Sequence, residues 1–123
     1  MNKIITLESG QELLLAANGA TPIRYKMVFG SDLMVDFNQI TNGKKDEGEA
    51  ADVIQKLAFI MNNQAVTPKE ELAKLNMDNY IEWLEDFMPL DLFKASGEII
   101  AIYTGNNVST SKPKKANGRP AEK

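Results

Sequence analysis

The sequence predicts a mainly α-helical domain of the α+β class: a small N-terminal β-hairpin laid on a compact bundle of about five helices, followed by a disordered C-terminal tail. Three observations predict it. Apolar residues recur every three or four positions through most of residues 21–104, and two short apolar runs near the N-terminus flank a glycine-bearing polar segment. Residues 106–123 are mostly Ser, Thr, Asn, Lys, Pro and Gly, which cannot bury enough surface to order themselves. With 43% apolar and 25% charged residues, residues 1–105 read as one domain with one core and residues 106–123 as its basic tail.

The hairpin is placed by Ile4–Leu7 and Glu12–Ala16 around Glu8-Ser9-Gly10-Gln11, where Gly10 can take the positive φ of a tight turn. Alternation puts Ile5 and Leu7 on one face, together with Leu13 and Leu15. Thr21-Pro22 then reads as a helix start, with the hydroxyl as cap and the proline where no N–H is needed, and Gly30 as the left-handed stop. Ser31-Asp32 can cap a second short helix carrying Leu33, Met34 and Phe37. The segment from Thr41 to Gly48 is polar, lacks an apolar anchor and reads as a mobile loop.

Glu49–Ala65 is the clearest helix, because Ile54, Leu57, Ala58, Met61 and Ala65 share one face and Asp52, Gln55, Lys56, Asn62 and Asn63 the other. Thr67-Pro68-Lys69-Glu70 has the spacing of a capping box, with a helix running on to about Leu75. Asp78–Phe87 carries Tyr80, Ile81, Trp83, Leu84 and Phe87 on a wide apolar side until Pro89 interrupts it. A last helix is expected from Leu90 to about Thr104, stopped by Gly105.

Composition narrows function. The chain has no cysteine and no histidine, which removes thiolate metal sites, disulfide frameworks, cysteine nucleophiles and the commonest general base. Gly30-Ser31-Asp32 does not make a nucleophile elbow, glycine-rich phosphate loops are absent, and Glu82, Glu85 and Asp86 read as a solvated helix face rather than a cation site. No enzyme, metal or cofactor is expected. The opening residues are too short in apolar length for a signal peptide, and no stretch approaches a membrane span, so the product is expected to stay in the cell that made it.

The formal charge of −3 is uneven. Lys112, Lys114, Lys115, Arg119 and Lys123 face only Glu122 after Gly105, a tail of +4; nine basic and sixteen acidic residues before Asn106 make a body of −7. An acidic body argues against a nucleic-acid platform on the fold. Gly118-Arg119-Pro120 is similar to the centre of a minor-groove hook, but Asn117 stands where an arginine is expected. Asn107-Val108-Ser109 matches the glycosylation sequon, a pattern common by chance. What remains is apolar surface for a protein partner. Met27, Met34, Met61, Met77 and Met88 suit either core filling or adaptable contact, and the stripe with Tyr80, Trp83 and Phe87 is too wide to face wholly inward. Met61, Trp83, Phe87 and Met88 are the residues expected to grip a partner helix.

Ordered along the chain are Thr21-Pro22-Ile23-Arg24-Tyr25-Lys26 with Phe29-Gly30 and Asp32-Leu33, then Lys56-Leu57-Ala58-Phe59-Ile60-Met61. Tyr80-Ile81-Glu82-Trp83-Leu84-Glu85 and Ile102-Tyr103 with Gly105-Asn106 follow, ahead of the basic tail. In order and spacing, over nearly the whole chain, these stretches resemble the tail assembly chaperones of long-tailed bacteriophages and prophages. The resemblance implies a protein that coats the tape measure protein, keeps that helical rod soluble in the host cytoplasm, and is absent from the finished virion. It also implies recruitment of tail tube protein through a longer frameshifted form, for which Lys114-Lys115 marks a candidate slip. Two other readings remain: a different phage helical adaptor such as a head-to-tail connector, and a small DNA-binding regulator using the basic tail.

Overall fold

The computed structural model describes residues 2–105. Strands β1 (Asn2–Thr6) and β2 (Glu12–Ala16) pair antiparallel with Ile4 opposite Leu14. The Leu7 N–H donates to the Gln11 carbonyl at 2.8 Å, and Gly10 turns the chain with φ +96°. Ile5, Leu7, Leu13 and Leu15 are all buried, as the alternation requires.

Seven helices follow among the described residues: α1 (Thr21–Phe29), α2 (Leu33–Thr41), α3 (Glu47–Val66), α4 (Lys69–Leu72), α5 (Met77–Leu84), α6 (Asp91–Lys94) and α7 (Ser96–Thr104). The mainly helical α+β class is therefore as read, and the count exceeds five because two helices are single turns and the last one is broken at Ala95. Expectations for residues 106–123 lie outside the described residues.

Helix α3 is the axis of the molecule. Its 20 residues start at a capping box in which Asp46 accepts from the Glu49 N–H and Glu49 accepts from the Asp46 N–H. The hairpin and the other six helices all pack on it. Seven of its residues are buried, from Val53 to Met61, and they anchor a core that takes in Tyr25, Leu33, Tyr80, Leu92 and Ile99. A helix touched on so many sides cannot keep one polar face for solvent. Accordingly, Asn62 donates to the Leu14 carbonyl at 2.9 Å and Gln64 donates to the Ala16 carbonyl at 2.7 Å, satisfying acceptors on the edge of β2 that β1 leaves open.

Several local expectations are corrected. Thr21 does not cap α1; it is the first helical residue, fully buried, and its hydroxyl accepts from the Asn18 N–H and from Gln64. Thr67 builds no capping box, because its N–H donates to the Asn63 carbonyl and its hydroxyl to the Asn63 side chain, closing α3 instead of opening α4. α4 is consequently one turn. α5 opens one step earlier than read, at Met77, through a reciprocal pair of bonds between Asn76 and Asn79. The segment expected as a mobile loop shrinks to residues 42–46, tied by Lys45 to Asp36 at 3.7 Å and by the Lys44 N–H to the Gln39 carbonyl. Gly30 and Gly105 take the left-handed stop positions at φ +79° and +77°.

Candidate functional site: apolar surfaces beside helix α5

An aromatic chain fastens α5 to the core. Phe29 of α1 meets Tyr80 edge-on at 4.9 Å, Tyr80 and Trp83 each meet Phe59 of α3 at 5.4 Å, and Phe87 closes on Trp83 at 4.6 Å. Such tilted pairs are the favoured ring geometry. The Trp83 indole N–H donates to Asn62 at 3.0 Å, and the same Asn62 holds β2, so one amide ties α5 to the hairpin through α3. Burial pushes the Tyr80 hydroxyl well above the usual phenol range, helped by the negative charge of Asp52, and does the same for Tyr25, whose hydroxyl donates to Asp36 at 3.0 Å.

This chain separates the four residues expected to grip a partner. Met61 has no exposed surface and is corrected to a core residue: it falls on the inward face of α3 with Ile54, Leu57 and Ala58, where the surrounding elements enclose it. Trp83 and Phe87 are half-buried, inner edges against the core and outer edges at the surface. Met88 is 65% exposed. Three of the four therefore gather at the end of α5 and the turn after it.

The same region exposes apolar residues beyond the four expected to grip a partner. Met77 and Ile81 stand one turn apart on the outer side of α5, each about half exposed, and Leu90 beyond Met88 is similarly open. Leu90 also holds φ +69°, an uncommon conformation for a leucine, which turns the chain from α5 into α6. The sequence places Ile81 on a wide apolar side, too wide to face wholly inward, without saying which of its residues turn out. The structure splits the stripe: Tyr80 goes in, Trp83 and Leu84 lie at the boundary, and Ile81 points out.

On the other side of α5 lies a cleft of about 480 Å³ floored by Phe59 and Trp83 and rimmed by Glu71, Lys74, Glu82 and Asp86. A second groove, of about 280 Å³, runs between α1 and α4. Leu75 lines both. Ile23 and Met27 of α1, on the second groove, are 63% and 66% exposed; the sequence marks Met27 only as one of five internal methionines suited to core or contact and does not mark Ile23 as a contact, since a groove needs the partner wall that α4 supplies.

No family model, curated protein or solved structure matches this chain. The site must be judged on its own chemistry. The cleft combines the rings of Phe59 and Trp83 and the aliphatic Leu75 with amides, three carboxylates and Lys74, whereas the outer side of α5 exposes Met77 and Ile81. No helix among the described residues is long and apolar enough to cross a membrane.

Proposed function

We propose that this protein is a holding chaperone of the phage tail assembly kind, which covers an apolar helical stretch of the tape measure protein until tail tube subunits replace it. The observation that carries this reading is the outward apolar run of Met77, Ile81, Met88 and Leu90 beside the half-buried Trp83–Phe87 pair. Several exposed large apolar side chains within fourteen positions of a small domain are what an interaction surface requires. Methionine is over-used on surfaces that accept varied apolar partners, because its unbranched, polarizable chain reshapes at low cost. The aromatic chain supplies a rigid base beneath that adaptable layer. An acidic body of −7 keeps a loaded complex dispersed. The resemblance to tail assembly chaperones supplies the identity of the client, the host cytoplasm as the place of work, and the absence of the protein from the finished virion.

Co-expression with the long helical reading frame of the same tail gene cluster tests this reading. The chain should raise the soluble fraction of that client severalfold, and the double substitution Ile81→Ser and Met88→Ser should remove most of the gain while leaving the circular dichroism spectrum unchanged. An unaltered soluble yield with the folded double variant would rule out this surface. Co-purification of the protein with finished tails would favour a connector instead.

A further inference from the structure

We propose that the groove between α1 and α4 is a second docking site, built for an amphipathic helix of a partner protein whose polar flank carries carboxylates. Three features lead there. First, Ile23 and Met27 stand one helical turn apart on α1 and face solvent over a floor made by buried Leu72 and by Leu75, so the groove offers a wall and a floor of aliphatic carbon. Its volume of about 280 Å³ accommodates a few side chains rather than a folded domain.

Second, both walls are helices. Neither wall is an extended strand, so the groove offers an entering chain no ladder of evenly spaced backbone partners. An occupant must satisfy its own backbone, and a helix presenting two apolar residues at i and i+4 does so. An extended strand would bury unpaired amides.

Third, the charged side chains that line the groove, Arg24 and Lys69, are both cationic, on a body whose sum is −7. Arg24 is aimed: one terminal nitrogen donates to the Gln64 amide oxygen at 3.0 Å, and Gln64 is itself held by the Ala16 carbonyl and the Thr21 hydroxyl. That bond engages one of the guanidinium's donors and restrains the group beside the groove, and a guanidinium's planar fork of donors is suited to a carboxylate. Glu70 and Glu71 follow Lys69 on α4 but are not among the residues that line the groove, and at physiological salt, with a Debye length of about 8 Å, the two lining cations are the charges a group bound in it meets most directly. Charge complementarity thus selects acidic flanks.

This inference stands apart from the reading of the α5 surface, because it uses a different groove and different residues. Two labelled synthetic helices of about 14 residues decide it, both with leucines at i and i+4, one flanked by glutamates and the other by lysines. Fluorescence anisotropy with the full chain at about 0.15 M salt should show the glutamate helix binding roughly tenfold more tightly. Methyl NMR shifts should fall on Ile23 and Met27. Lys69→Glu, at an exposed position, should bring the two helices to within about threefold of each other, and Met27→Ser should weaken both. The proposal is overturned if the glutamate helix fails to saturate by about 1 mM, if the two helices bind equally, or if the shifts map elsewhere. It is also overturned if the chain alone self-associates through Ile23 and Met27, which would make a second copy the occupant.

Discussion

Residues 47–66 and residues 67–90 carry the same apolar load, eleven residues each, yet the first stretch buries seven of them and the second only Leu72 and Tyr80. The first is one unbroken helix surrounded by the hairpin and every other helix. The second is a single turn, an eight-residue helix and an irregular turn, lying over one side of that axis. Their polar groups differ in the same way. Asn62, Asn63 and Gln64 are engaged in defined hydrogen bonds, whereas the Tyr80 hydroxyl and one oxygen of buried Asp91, just past the second stretch, have no hydrogen-bond partner. Burial is thus concentrated in one stretch and exposed apolar surface in the next, the arrangement that the proposed holding role requires, since a gripping surface must adapt without loosening the scaffold.

Four experiments can break or sharpen this contrast. Phe59→Ala removes a fully buried ring that contacts Phe29, Tyr80 and Trp83, and should destabilise the domain by about 3–5 kcal/mol in urea unfolding. A loss below about 1 kcal/mol would mean the aromatic chain does not hold α5 to the core.

Raising the pH is the next largest effect. Tyr25 and Tyr80 keep their protons to higher pH in the fold than in the unfolded chain, where phenols titrate near 10. Above that value the unfolded state binds fewer protons than the native state, so their contribution is complete below about pH 10 and declines as pH rises further, by about 2–3 kcal/mol at pH 11. Tyr80→Phe should cost little at neutral pH, since its hydroxyl is unpartnered, and should remove about half of the alkaline decline in thermal melts.

Gln64→Ala strands the Ala16 carbonyl and frees Arg24, for an expected loss of about 1–3 kcal/mol by chemical denaturation. At the small end, Ile81→Ser should change stability by less than about 0.5 kcal/mol while reducing client capture. A larger stability loss at Ile81 would place the α5 surface in the scaffold rather than in the contact layer.

The class of fold, the hairpin with its greasy face, the extent of α1, the left-handed stops at Gly30 and Gly105 and the central helix were all legible from residue pattern, because each depends on neighbours within a few positions. Turn geometry at Gly10, the charge-and-amide cap at Asp32 and the 3.6-residue period of α3 are local physics. Of the four residues expected to grip a partner, Met88 is exposed and Trp83 and Phe87 are half-buried, so the surface can reach them. Met61 is buried, which its pattern does not reveal, since a methionine on a helical face looks the same whether that face is covered or open.

Tertiary packing settled the rest. Thr67 follows the grammar of a helix start, but its hydroxyl donates to Asn63 on the preceding helix, and the Thr21 hydroxyl accepts from Gln64, 43 positions away. The groove beside Ile23 and Met27 exists only because α4 stands opposite α1. Burial, partner choice for a side-chain amide, and the second wall of a groove are all properties of pairs of distant segments, and a one-dimensional pattern describes a single segment at a time.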